Sequence, residues 1–339
     1  MPERYDVICI GAGPTGLACA IDARLEGLTA LVIDKGCVCN SLYHYPTNMF
    51  FFTTPERMEI GELPMTIFGS KPTRAEALKY YRRAVDRYEI NVRQYETVER
   101  IEGRDGEFAV HTRDDHSRTH SYHSRKIIIA TGFYDHPNPV GVPGEDLPHV
   151  SHYFTEPHPY WKQDVVVIGG GNSAAETALE LFRAGSQVTI VHRGAEMAKG
   201  LKYWVRPDID NRIAAGEIRA LFNTKVVRIE PGQVVVSIHG KEETIPAAHV
   251  FALTGYHPDF DFLERAGIHL DAATKKPQVN TETLETNVRG IYVAGVVVGG
   301  LQTSRIFIEN GRFHGRQIIA AIAGKGKLPD REPVAAPGE

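Results

Sequence analysis

The sequence predicts an α/β chain built from two Rossmann-like, three-layer (ββα) units. Three observations point there. The apolar run 5–10 (YDVICI) ends in Gly11-Ala-Gly13-Pro-Thr-Gly16 and gives way to a helical pattern. The same plan recurs where the run 165–168 (VVVI) meets Gly169-Gly170-Gly171-Asn172-Ser173-Ala174. Each helical pattern is followed by a second apolar run, 30–33 in the first case and 187–191 in the second. A short apolar run closed by glycine reads as a strand buried on both faces, and strand–helix–strand repeats build parallel sheets.

In chain order, residues 5–10 form the first strand and residues 15–27 the first helix, with small residues toward the sheet and Gly27 closing it. Residues 30–33 form the next strand and end at Asp34. Residues 91–129 alternate in strand-like pieces around the polar stretch 113–125, a small meander feeding an apolar strand at 126–130. The Pro- and His-rich segment 134–160 reads as a connection. The second unit follows, with its helix at 173–184. After Thr254-Gly255 come short loops, a strand at 291–294 and a helix over 303–323. The tail 324–339 lacks apolar periodicity and is expected to be disordered. The domain division expected is 1–135 with 256–323, and 136–255 between them.

Composition narrows the function classes. A chain of 339 residues with 42% apolar and 24% charged residues has an ordinary globular balance, sufficient for two domains. A formal charge of −4 gives no reason to expect nucleic acid or an anionic membrane as partner. No apolar run reaches the roughly 18–20 residues that span a bilayer, and the N-terminus enters a strand pattern at once, so a cytoplasmic protein is expected. The four cysteines, Cys9, Cys19, Cys37 and Cys39, lie in the first 40 residues without a CxxC pair, unlike a secreted disulfide scaffold. His111, His116, His120 and His123 fall in the polar meander without supporting cysteines or paired carboxylates, so no metal site is expected.

The glycine turns carry the chemistry. In the first, Gly11 permits the tight turn, Gly13 lets a pyrophosphate approach the backbone, and Gly16 lets helix and strand pack closely. Asp34, at the end of the next strand, is suited to accept hydrogen bonds from an adenosine ribose. In the second turn the third glycine is replaced by Ala174, and the following strand ends in His192-Arg193 where an acid would favour NAD. Cations there favour a 2′-phosphate, hence NADPH, and Lys199, Lys202 and Arg206 lie just downstream.

With Ala130-Thr131-Gly132 ending a middle strand, a late GIYVAG and these two turns, the chain resembles the low-molecular-weight thioredoxin reductase class of flavoproteins. The segments 40–48 (NSLYHYPTN), 59–61 (EIG) and 306–315 (IFIENGRFHG) further resemble the bacillithiol disulfide reductase family. The resemblance implies an enzyme of redox homeostasis that uses FAD and NADPH to reduce the disulfide of a low-molecular-weight thiol, working as a homo-oligomer, dimer or tetramer. It implies flavin contacts from Gly11, Gly13, Pro14, Thr15, Gly16, Asp34, Lys35, Asn40, Ser41, His44, Asn48, Val92, Ala130, Thr131, Gly132 and Gly295. Gln302, Thr303 and Ser304, read as the start of the last helix, are implied to face the flavin with the positive end of its dipole. NADPH contacts are implied from Gly169, Gly171, Asn172, Ser173, Ala174, His192, Arg193, Lys199, Thr254 and Gly255.

Three departures stand out. No cysteine lies in residues 153–164, where thioredoxin reductases carry their redox pair. Val296 follows Gly295 where most of the class has aspartate. Thr15 occupies a position where many of the bacillithiol group carry cysteine. A substrate disulfide could therefore be reduced by the flavin directly, or through a mixed disulfide with Cys37 or Cys39, in a pocket lined by residues 40–48 and the start of the last helix. Other readings of the same pattern are a ferredoxin- or flavodoxin-NADP reductase and a flavin monooxygenase.

Overall fold

The structure is a computed structural model that describes residues 4–325; the rest of the tail, from residue 326, lies outside the described residues. The chain divides into two compact units. One holds residues up to 43, 48–136 and those from 257 onward; the other holds 137–256 together with His44–Thr47.

The first unit begins with β1 (Arg4–Ile10), α1 (Pro14–Leu25) and β2 (Ala30–Ile33). The short α2 (Asn40–Tyr43) and the longer α3 (Arg74–Arg87) follow, then β3 (Asn91–Arg93). β4 (Glu96–Arg104), β5 (Glu107–Asp114) and β6 (Thr119–Ile129) form the meander. The sheet order is β3-β2-β1-β6-β5-β4. β6 serves two layers at once. Its first half pairs antiparallel with β5, while its apolar second half runs parallel to β1. Ile8, Leu31, Ile127 and Ile129 are fully buried in this core, each worth about 1.5–3 kcal/mol in transfer from water.

The second unit contains β7 (Val150–Ser151), β8 (Asp164–Ile168), α4 (Asn172–Arg183), β9 (Gln187–Val191), α5 (Arg206–Ala214) and β10 (Arg219–Leu221). A three-stranded antiparallel sheet, β11 (Thr224–Glu230), β12 (Gln233–Ile238) and β13 (Lys241–Pro246), precedes β14 (His249–Ala252). The main sheet is parallel throughout, in the order β10-β9-β8-β14-β7. Val166, Val167, Ile190 and Val250 are fully buried in it.

The chain then returns to the first unit with α6 (Phe260–Arg265), β15 (Ile291–Val293), α7 (Ile308–Gly311) and α8 (His314–Ile322). β15 runs parallel to β6 beyond the point where β5 stops. The single helix expected over 303–323 is corrected here. Gln302, Thr303 and Ser304 lie in a turn in which the Gln302 N–H donates to Gly299 O at 2.9 Å. The chain is extended at Phe307, whose N–H donates to Asn310 Oδ1 at 2.8 Å. A short polar side chain that bonds nearby backbone in this way competes with the helix and starts it late. A second break at Arg312-Phe313 separates α7 from α8. Among the described residues no helix is long and apolar enough to cross a membrane.

Candidate functional site

In the first unit the glycine turn joins β1 to α1. Gly11 has φ +109°, and a Cβ there would lie 2.4 Å from Ala130 O; a Cβ at Gly16 would lie 1.9 Å from Gly11 O. Both positions are closed to any side chain by backbone. Around Gly13 nothing lies within 4 Å of where a Cβ would be, so its face of the turn is open. α1 starts from Gly13 with no side-chain cap and no acid in its first turn, and Pro14 opens it. α3, in contrast, has a complete capping box between Thr73 and Glu76. The amino end of α1 thus leaves orphan N–H groups and a positive dipole end for an anion.

Asp34 faces this turn from the end of β2. Its Oδ2 accepts the Ala12 N–H at 2.6 Å and its Oδ1 accepts the Gly36 N–H at 2.8 Å. The carboxylate therefore braces the glycine turn, with a lone pair left on each oxygen for a further donor. Burial raises its pKa above the ordinary carboxylate value despite the two backbone donors, and the nearby Asp135 adds to the rise. Lys35 pairs with Asp135 at 3.2 Å. Val92 is paired with Val32 across the sheet, and the N–H of Ala130 donates to Ile10 O at 2.8 Å, with Thr131 and Gly132 beyond it. Gln302 has its Oε1 buried without a hydrogen-bond partner, an acceptor that a bound ligand would satisfy.

Thr15 and Gly295 meet. A Cβ at Gly295 would lie 3.2 Å from Thr15 Oγ1, and one at Gly311 3.0 Å from the same oxygen. Thr15 is thus wedged between the turn after β15 and α7. The segment 40–48 divides. Asn40 and Ser41 lie in α2, Asn48 is exposed, and the exposed His44 belongs with the second unit, where the Thr47 N–H donates to Thr155 O at 2.8 Å.

The two cysteines singled out as nucleophiles are poorly prepared for it. Attack on a disulfide needs a thiolate. Cys39 is 1% exposed, and burial pushes its thiol well above its ordinary pKa. Cys37 is half-buried; its thiol points to Asn40 Oδ1 at 3.7 Å, and burial followed by the Asp34 charge raises it too. Cys9 and Cys19 are fully buried core residues.

In the second unit the turn joins β8 to α4. A Cβ at Gly169 would lie 2.5 Å from Leu253 O, whereas Gly171 is open. α4 begins at Gly171 without a side-chain cap or an acid in its first turn, so the same anion-binding argument applies. Ser173 is exposed and Ala174 fully buried. The Asn172 side chain braces the neighbouring loop: its Oδ1 accepts the Lys202 N–H at 2.8 Å and its Nδ2 donates to Gly200 O at 3.2 Å. Thr254 Oγ1 donates to Asn138 O, and Gly255 O accepts the Asn138 N–H at 2.9 Å, so this pair fixes the crossing strand.

The cations at the end of β9 separate into two roles. The His192 ring lies under the turn, 2.5 Å from where a Cβ at Gly170 would stand and 2.6 Å from one at Gly194. Burial, then the Arg193 charge, lowers its pKa, so it is a neutral packing ring near neutral pH and not the cation expected. Arg193 and Lys199 are exposed. Lys202 pairs with Glu176 at 2.7 Å, and Arg206 donates to Met197 O and Ala198 O, so these two are committed to the protein. Two of the meander histidines are likewise engaged, His111 with Glu102 and His120 with Asp114.

Comparisons with known proteins agree with this geometry. The family model described as pyridine nucleotide-disulphide oxidoreductase matches residues 8–295. The bacilliredoxin reductase Bdr of Bacillus subtilis (strain 168) is 46% identical over 318 residues, covering 93% of this chain and 97% of the relative. The solved bacillithiol disulfide reductase Bdr (YpdA) of Bacillus cereus superposes with a TM-score of 0.93 at 41% identity, covering 95% of this chain and 99% of that one. That of Staphylococcus aureus gives 0.90 at 40% identity with the same coverage. Two open glycine turns in one chain, likeness along nearly its whole length and the matching family model make this an oxidoreductase working with a flavin and a nicotinamide cofactor, a member of the pyridine nucleotide-disulphide oxidoreductase family within its Bdr group.

Proposed function

We propose that the chain is an NADPH-dependent FAD flavoprotein that reduces the disulfide of a low-molecular-weight thiol, bacillithiol disulfide in the relatives' terms. The observation that carries this reading is the opposite chemistry beside two open glycine turns. Asp34 offers acceptors in the first unit and Arg193 offers an exposed cation in the second. Carboxylate lone pairs suit the free ribose hydroxyls of FAD, and a guanidinium suits the 2′-phosphate of NADPH. The open face at Gly13, the uncapped end of α1 and the orphaned Gln302 Oε1 support a fit to the flavin dinucleotide.

When bound, a flavin would supply the two-electron chemistry between a nicotinamide hydride donor and a disulfide acceptor. The chain's own part is to hold the pyrophosphates on the ends of α1 and α4, orient the ribose at Asp34 and select the phosphorylated nicotinamide at Arg193, with Lys199 adding charge. The relatives' names differ on the acceptor, one giving bacilliredoxin and two giving bacillithiol disulfide. The burial of Cys9, Cys19 and Cys39 and the raised pKa of Cys37 support reduction of a small disulfide without a thiol relay from this chain.

The test is anaerobic stopped-flow mixing of the NADPH-reduced protein with bacillithiol disulfide, an oxidised bacilliredoxin, ferredoxin and oxygen. Fastest reoxidation by bacillithiol disulfide supports the proposal. Fast ferredoxin reduction with silent disulfides would replace it with a ferredoxin-NADP reductase.

A further inference from the structure

The turn after β15, residues 294–300 (AGVVVGG), has no side chain that hydrogen-bonds. Its polar chemistry is therefore its backbone and whatever packs on it. His314, the first residue of α8, packs on it: its Nδ1 accepts the Gly295 N–H at 3.0 Å. An amide N–H only donates, so Nδ1 holds a lone pair and a neutral imidazole must carry its proton on Nε2. Among the described residues Nε2–H makes no hydrogen bond. Burial alone lowers the ring's pKa to about 4, which keeps it neutral.

The surroundings leave no slack. Gly295 sits at φ +70° against Thr15, and a Cβ at Gly311 would lie 3.4 Å from Gly295 Cα. A Cβ at Gly315 would lie 2.9 Å from the Cys19 backbone. The glycine turn of α1, the turn after β15 and the α7–α8 segment therefore close on one another at van der Waals contact, and His314 supplies a directional polar link between two of them.

We propose that His314 is a positioning residue of the flavin site: its neutral imidazole clasps the Gly295 amide through Nδ1 and presents Nε2–H as a fixed, uncharged donor to the dinucleotide seated on the Gly11–Gly16 turn. This rests on the reading of the first unit as the flavin unit. The clasp sets the path of a turn that has no polar side chain of its own, and the tautomer it imposes decides which ring atom is left to donate.

The experiment compares wild type with His314→Asn and His314→Phe. Asparagine keeps an acceptor near the Nδ1 position and loses the distal donor; phenylalanine keeps the ring shape and loses both nitrogens. Flavin dissociation constants are measured on reconstituted apoprotein together with the visible flavin spectrum, and the ring tautomer by ¹⁵N NMR of histidine-labelled protein. We expect an Nε2–H tautomer, a flavin dissociation constant raised about tenfold in His314→Phe, and a smaller rise in His314→Asn. The flavin band of the phenylalanine variant should also shift. A role in packing alone predicts the reverse order, with phenylalanine close to wild type and asparagine worse, and that order overturns the proposal. A proton on Nδ1 overturns it even if the phenylalanine variant does not fold. Wild-type apoprotein that takes up no FAD refutes the flavin reading and the positioning role with it, while the tautomer still reports whether the Gly295 clasp exists.

Discussion

Asp34→Ala tests whether the carboxylate at the end of β2 holds the first glycine turn together. Its oxygens accept the N–H groups of Ala12 and Gly36, at 2.6 and 2.8 Å, and both donor residues are buried. Alanine leaves two buried donors without an acceptor, at about 1–3 kcal/mol each. Against that, the variant is relieved of a carboxylate whose raised pKa shows that burial already disfavours its charge. The net loss should be about 2–4 kcal/mol, confined to the first unit. Asparagine retains one acceptor and turns an NH2 toward the other donor, so Asp34→Asn should lose about half as much. The two units permit a clean assay, because both tryptophans, Trp161 and Trp204, lie in the second. In urea unfolding of the apoprotein, tryptophan fluorescence should keep its midpoint while the far-ultraviolet circular dichroism transition of the first unit moves to lower urea. Flavin retention should fall in parallel. A first-unit transition unchanged to within about 0.5 kcal/mol would refute the brace, and equal shifts in both signals would refute its confinement.

Other outcomes follow from the same geometry. Arg193→Ala should raise the KM for NADPH roughly ten- to a hundredfold and leave NADH nearly unchanged, the value of one charge-assisted phosphate contact; His192→Asn should change both cofactors alike, because that ring packs under Gly170. Cys37→Ser should retain most disulfide turnover in steady-state assays, and loss of turnover with normal flavin reduction by NADPH would establish a thiol relay instead. The folded-state pKa of His314, about 4, is depressed from an ordinary 6.5, so the unfolded chain binds the extra proton first. Stability from this residue is complete above pH 6.5 and falls by about 3 kcal/mol as pH drops toward 4, so acid unfolding of His314→Asn should lack this component of the slope.

Much of the architecture was legible because it rests on short apolar runs stopped by glycine. Residues 7–10 of β1 and 165–168 of β8 are buried without a polar residue between them, and in β9 only the half-buried Thr189 interrupts the apolar run. α3 was not read, although its sequence carries the signal. Its capping pair Thr73 and Glu76 precedes a stripe of Ala77, Tyr80, Tyr81 and Ala84, but tyrosines make that stripe and charges surround it. β13 was missed because only Ile245 of its six residues is buried. In the site, the glycine turns were legible from spacing, since backbone contact at Gly11 and Gly16 excludes every other residue. The neutrality of His192 was not, because it depends on glycines on both sides of the ring in space. The late start of the last helix was hidden for a similar reason: Thr303-Ser304 resembles a cap, but Asn310, inside the expected helix, caps Phe307 instead.

The way the chain enters and leaves the second unit bears on how such a protein could arise. Within the first unit, His257 N–H donates to His136 O at 2.9 Å, so the two cut ends of that unit lie side by side. Within the second, Pro137 and Tyr256 form a bridge pair, so its ends also adjoin. An insertion with adjoining ends adds almost no loop-closure entropy to its host, and its removal leaves a gap that a few residues can span. The chain therefore resembles one compact unit inserted at a tolerant corner of another. That corner is a natural site for exchanging one such unit for another, by grafting a different 137–256 segment together with the matching residues 44–47.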